Sequence, residues 1–249
     1  MRAFRPAPRY RSLSAFTDSL RTAAALIAGA DESLRQIVVL SLQVSGAASL
    51  FGAAIGLAAG AWLAVARFPG QRALVLALNT LLALPPVVVG LTVYLLLSRS
   101  GPLGQFGLLF TPTAMVIAQT ILVLPLVAAL ARQLVADAMR GNGEQLRSMG
   151  AGPLTSAALL LVHERAALLT IALTAFGRAI SEVGAVMIVG GNIAGVTRVM
   201  TTTIALETSK GDLPLALALG LVLLGVVAMV NLAIAGVRRL QQAQEGRAA

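Results

Sequence analysis

The chain has 249 residues, 57% of them hydrophobic and only 12% charged, with a formal net charge of +9. A soluble globular chain carries about 25% charged residues, so the polar coat of a water-facing surface is missing. With no cysteine and one histidine, His163, disulfides, thiolate metal sites, cysteine nucleophiles and histidine metal clusters are excluded too.

Aromatic residues make up only 4%, so Ala, Leu, Val and Gly carry the apolar content. That bias suits close helix packing in lipid, where van der Waals fit replaces the hydrophobic drive between helices. Most basic residues flank apolar runs, the pattern of membrane spans rather than of nucleic-acid binding.

Residues 1–35 stand apart. Arg2, Arg5, Pro6, Pro8, Arg9 and Arg11 read as a basic tail. Ser14–Ala30 reads as an amphipathic helix with Phe16, Leu20, Ala24 and Ile27 on one side. Asp18 and Arg21 place it in the membrane interface rather than across it. A signal peptide's apolar core and small-residue cleavage pattern are missing there.

The apolar core of the chain occupies 36–238. A helix needs roughly 20 apolar residues to cross the hydrocarbon layer. Uncharged runs bounded by Arg predict spans over 36–66 and 73–98, and a third over 111–135 once Gly101, Pro102, Gly104, Gly107 and Pro112 are read as loop. A fourth, 166–189, holds Arg178 and Glu182, and a fifth covers 213–237. Residues 239–249 form a tail.

Arg67, Arg72, Arg132, Arg140, Arg147, Arg165, Arg238, Arg239 and Arg247 lie on one side of these spans, against Arg99, Arg198 and Lys210 on the other. The positive-inside rule then puts the 137–165 loop and the C-terminal tail in the cytoplasm. Five spans leave the Arg-rich N-terminus outside, against the same rule.

Four features interrupt the apolar pattern. Gly52, Gly56 and Gly60 form a small-x₃-small stripe, suited to packing within the subunit or to a dimer seam. Pro85 and Pro86 fall mid-span and remove backbone donors, which marks a static kink or a gate beside a translocation path. Arg178 and Glu182 are four apart, close enough to pair on one helix face. The plainer reading is an ion pair locking this helix to its neighbours; the other is that Arg178 adds positive potential to a polar route. Thr201 and Thr202 lie in a short outer helix, where their hydroxyls either cap backbone or hydrogen-bond a ligand.

The 137–165 stretch is too long for a simple connector. It contains Glu144-Gln145-Leu146, then Gly150, then Pro153 opening the apolar segment Leu154–Val162. It reads as two short helices under the membrane, either a bare surface hairpin or a docking element for a motor protein.

Here a family resemblance enters. Glu144-x₅-Gly150 resembles the Glu-Ala-Ala loop of ABC importer permeases, with Gln145 and Leu146 where the two alanines usually stand. The run Asn79-Thr80-Leu81-Leu82-Ala83-Leu84-Pro85-Pro86-Val87-Val88-Val89-Gly90 is similar to the tungstate-type branch of these permeases. So are Ser98–Gly104, Leu109–Ala114, Phe176–Ala185, Gly190–Ile193 and Ala205–Asp212, in collinear order over roughly 33–238.

The resemblance implies a type I importer permease: an all-α membrane protein of five spans, in the bacterial cytoplasmic membrane. It implies a cytoplasmic ATPase subunit docked on Glu144, Gln145, Leu146 and Gly150, an oxyanion-binding protein outside, and a second permease copy. Pro85, Pro86, Arg178, Glu182, Thr201 and Thr202 become candidates for the path or its gate. The cargo would be tungstate, with molybdate or sulfate as alternatives.

The residues support one part independently. A P-loop needs Gly-Lys followed by Ser or Thr. The only lysine, Lys210, follows Ser209 and precedes Gly211, so no such loop exists in this chain, and ATP would bind a partner subunit. A secondary transporter or channel is the rival of another class, but the two repeated halves usual there are missing. An intramembrane enzyme would need a nucleophile and base that Arg178 and Glu182 do not supply.

Overall fold

The computed structural model describes residues 17, 20–22, 24, 25 and 32–248, the side chains at 233 and 237–248 excepted. The basic tail lies outside the described residues, as do Phe16 and Ile27 of the expected interfacial helix. Leu20 and Ala24 of that segment are helical and exposed.

Among the described residues every regular element is a helix. In chain order they are α1 (Glu32–Val65), α2 (Gln71–Leu81), α3 (Pro86–Leu97), a 3₁₀ turn (Gly104–Phe106), α4 (Pro112–Ser148), α5 (Pro153–His163), α6 (Arg165–Ile180), α7 (Gly184–Gly190), α8 (Met200–Lys210) and α9 (Leu213–Ala248). Three stretches are long and apolar enough to cross a membrane: α1, α4 and residues Leu213–Gly236 of α9. The number rises to five if the bent pairs α2/α3 and α5/α6 each count as one crossing.

The core is built on α1 against α4, the most extensive helix pair. The glycine stripe makes it possible. A Cβ on Gly52 would stand 2.9 Å from Val123 Cγ1, and one on Gly56 2.8 Å from Val127 Cβ. The stripe therefore serves packing within the subunit. Val44, Val93, Met115, Ala118, Val186 and Val189 continue this core across α1, α3, α4 and α7.

The structure departs from three sequence expectations. Residues 73–98 are not one continuous helix: α2 and α3 meet at 99°. Pro85 biases Leu84 away from helical geometry, and Pro86 has no donor to continue the ladder. Ala83 and Leu84 accordingly make only i−3 bonds, to Thr80 and Leu81, and Pro86 restarts the chain as the first residue of α3.

Residues 166–189 are also broken. Helix α6 ends at Ile180, and α7 starts at Gly184 after a three-residue joint. At its other end, α6 meets α5 at 80° beside Glu164.

Finally, the first half of the 137–165 loop is not a separate short helix. Helix α4 runs unbroken for 37 residues to Ser148, a length of about 55 Å against roughly 30 Å of hydrocarbon. Gly141 and Gly143 each cost only about 1 kcal/mol in a helix, and no proline follows Pro125 until Pro153.

Candidate functional site

Two regions collect the residues singled out in the sequence. The first is the joint between α4 and α5. Glu144, Gln145 and Leu146 occupy the last turns of α4, the first two exposed and Leu146 half-buried. Gly150 has φ +80, a conformation glycine adopts without strain. Its N–H donates to the Arg147 carbonyl at 2.9 Å, and the Ala151 N–H donates to the Leu146 carbonyl at 3.0 Å. This paired closure satisfies the orphan carbonyls of a helix end and turns the chain sharply. Pro153 then opens α5, with Ser156 N–H bonded to the Gly152 carbonyl at 2.8 Å.

The joint projects apolar groups as well as polar ones. Met149 is 74% exposed beside Gly150. Sequence reading passed over it; its position between the helix end and the reversing glycine was the available signal.

The second region is where the broken helices meet. Glu182 lies one residue beyond the end of α6 that Ser181 closes, 4% exposed, while Arg178 is 36% exposed. Arg178 Nη1 donates to Glu182 Oε2 at 2.6 Å. The other carboxylate oxygen, Oε1, accepts from the Ala185 N–H at 3.3 Å, inside the first turn of α7. The Glu182 backbone carbonyl accepts from Thr201 Oγ1 at 2.9 Å. One residue thus ties α6, α7 and α8 together.

The proline break adjoins the same joint. A Cβ on Gly184 would lie 3.1 Å from Val87 Cγ2 and 3.7 Å from Glu182 Oε1. One on Gly90 would lie 2.8 Å from Ala185 Cα. Helices α3 and α7 therefore pack side by side near their starts, with Val87 and the Glu182 carboxylate both close to Gly184.

Thr201 and Thr202 are buried, and their hydroxyls go to backbone. Thr202 Oγ1 donates to the Val199 carbonyl at 3.0 Å and accepts from the Val199 N–H at 3.1 Å, closing the start of α8. Thr203 Oγ1 donates to the same carbonyl at 2.7 Å.

Two residues of this joint were missed in the sequence. Ser41 of α1 accepts from the Met200 N–H, the first of α8, at 2.9 Å. Gln119 of α4 is 3% exposed and donates through Nε2 to the Ala179 carbonyl at 2.9 Å. It lines a small cavity with Ser41, Ser45 and Thr201, and its Oε1 has no partner. A lone Ser or Gln in an apolar run gives no sign of which distant helix end it serves.

Helices able to cross a membrane, breaks between them stitched by buried polar groups, and a sharply reversed joint held out on the flank define a multi-pass permease. No protein-family model matches the chain. Individual relatives do. It is 42% identical over 221 residues, 87% of this chain and 95% of the relative, to the tungstate uptake system permease protein TupB of Peptoclostridium acidaminophilum. It is also 42% identical to a probable anion ABC transporter permease protein of Haloferax volcanii, over 86% of this chain and 94% of that one. The tungstate permease TupB of Campylobacter jejuni is 37% identical over 86% of this chain and 90% of its own length.

The chain belongs to the ABC oxyanion permease family. It is the membrane-embedded permease subunit of an ABC uptake system and not itself the ATPase. Membership implies an ATPase subunit and a binding protein as partners.

Proposed function

We propose that this permease carries tungstate into the cell as a two-fold dimer of five-span subunits, each bent pair α2/α3 and α5/α6 forming one crossing. The cargo reading is supported by two tungstate uptake permeases that align over nearly their whole lengths. The dimer reading follows from the small size of one subunit and from the prevalence of cyclic pairs among oligomers.

The observation that carries the mechanism is the α4–α5 joint. Helix α4 is continuous from the packed core, where Met115, Val123 and Val127 are fully buried, to the exposed Glu144 and Gln145. A force applied at Glu144, Gln145, Leu146 and Gly150 is transmitted along one rigid rod to the membrane interior. Closure of ATPase subunits on ATP moves this joint, the rod tilts, and the breaks at Pro85–Pro86 and at Ser181–Val183 absorb the change.

Pro85, Pro86, Arg178, Glu182, Thr201 and Thr202 form the wall of the path. Arg178 supplies positive potential through its half-exposed guanidinium. Glu182, Thr201 and Thr202 hold that wall in shape through backbone bonds. ATP binds only the partner subunit, and this chain needs no cofactor of its own.

The test is reconstitution. Proteoliposomes holding this chain, its ATPase subunit and its binding protein are expected to accumulate tungstate only with ATP inside the coupled orientation. Uptake by the permease alone would replace this reading with a secondary transporter. Equal delivery of sulfate would remove the tungstate assignment while leaving the ABC mechanism in place.

A further inference from the structure

A second feature of the α4 end lies beside the coupling joint. A cleft of about 870 Å³ opens between the end of α1, the start of α2, the outer part of α4 and the α4–α5 joint. Arg67, Arg140 and Arg147 line it, all exposed. Among the described residues no carboxylate lines it. Asp137 pairs with Arg140 from outside the cleft, which leaves Arg67 and Arg147 as its uncompensated charges among the described residues.

Apart from Gln71 and Ser156, the rest of the lining is apolar or aromatic, including Trp62, Val65 and Leu154. Trp62 is 44% exposed and stacks on Phe68 with ring centroids 5.4 Å apart. An amphipathic indole at the end of an apolar crossing is the usual mark of the headgroup level of a bilayer. Gln71 Nε2 donates to the Leu63 carbonyl at 3.0 Å, closing α1 just where the cleft begins.

We infer that this cleft binds the phosphate headgroup of an anionic phospholipid, with Arg67 and Arg147 on the phosphate and acyl carbons against Trp62, Val65 and Leu154. Basic pockets between membrane helices are suited to such headgroups. The combination of guanidiniums with apolar walls fits a lipid better than a free tetrahedral anion, which has no use for the apolar half. The chain's own N-terminal tail carries Arg2, Arg5, Arg9 and Arg11 and does not complement the cleft. Glu144 and Gln145 are not among the lining residues, so the headgroup and the ATPase take different parts of one helix end.

Native mass spectrometry of the intact permease–ATPase complex, exchanged into micelles holding equal phosphatidylglycerol and phosphatidylcholine, tests this. Wild type is expected to retain phosphatidylglycerol over phosphatidylcholine by roughly thirtyfold, the order set by two cations near an anionic surface. Arg67→Gln/Arg147→Gln should bring the two lipids near parity, and Arg67→Lys/Arg147→Lys should keep most of the preference. Should the double glutamine variant not fold, each exposed arginine replaced singly reads the same ratio. Three results would overturn the assignment. The first is no preference in wild type; the second is displacement of the lipid by millimolar inorganic phosphate, which makes this a free-anion site. The third is loss of the ATPase with the lipid kept in the glutamine variants, which makes the cleft a protein interface.

Discussion

Gln119 of α4 donates to the carbonyl of Ala179, sixty residues later at the end of α6. That carbonyl also accepts the Glu182 N–H at 3.1 Å, so a single oxygen receives both the helix closure and the cross-helix bond. Within an apolar bundle an open helix end has no water to turn to. This chain breaks its helices where a buried side chain reaches the freed backbone: Gln119 of α4 at the end of α6, Ser41 of α1 at the start of α8, and Glu182 of the joint itself at the start of α7.

Replacing Gln119 by Leu keeps volume but removes the donor. The loss of a buried hydrogen bond costs about 1–3 kcal/mol when a partner is left short. Glu182 N–H still satisfies Ala179, so the effect should lie near the lower end. Thermal unfolding in detergent, followed by tryptophan fluorescence of Trp62, should show a lowered midpoint. An unchanged midpoint would mean that Gln119 does not hold the α6 end.

The Arg178–Glu182 pair is asymmetric, and so are its variants. Glu182 is 4% exposed and Arg178 36%. Arg178→Met strands a buried carboxylate and should cost about 3 kcal/mol. Glu182→Gln leaves a guanidinium that still reaches solvent, and the amide oxygen can accept from Ala185, so the loss should be clearly smaller. Joining the two changes should recover part of the Arg178→Met deficit. Equal losses for the single variants, read as melting shifts, would show that Arg178 does not serve to neutralise Glu182.

The glycine stripe makes a cleaner contrast. At Gly56 a new Cβ meets Val127 at 2.8 Å, whereas at Gly46 nothing lies within 4 Å. Gly56→Ala must force α1 and α4 apart and should cost about 1–3 kcal/mol. Gly46→Ala gains helix propensity of up to about 1 kcal/mol and should be neutral or stabilising. If both variants melt alike, the close approach of α1 to α4 is wrong.

These relationships explain which parts were legible from sequence. The stripe at Gly52, Gly56 and Gly60 was readable because its spacing and its consequence are both local to one helix. The Pro85–Pro86 break was readable as a disturbance, though not as a 99° turn, since proline states what it prevents rather than where the chain goes next. The joint at Ser181–Val183 was hidden. Nothing between Ile180 and Gly184 forbids a helix, and the groups that stabilise the break come from Gln119 and Thr201. The outer third of α4 was read as a separate short helix for the opposite reason: charged residues end the apolar run, but nothing from Val135 to Ser148 blocks the backbone ladder.

Gly150 offers the sharpest probe of coupling, because its requirement is conformational. With φ at +80, a β-branched residue is strained there, while Asn tolerates the left-handed region far better. Gly150→Val should therefore disturb the turn that sets α5 against α4, and Gly150→Asn should largely preserve it. In reconstituted complexes the valine variant is expected to hydrolyse ATP with tungstate uptake reduced at least about tenfold, equivalent to about 1.4 kcal/mol of lost coupling. The asparagine variant should keep both. Met149→Asp, which leaves the backbone turn intact but puts a charge on the exposed apolar tip, should instead weaken ATPase binding in pull-downs. Separating the two outcomes distinguishes a joint that transmits motion from a surface that merely adheres. Full uptake by Gly150→Val would show that the reversal at the end of α4 is not the transmitting element.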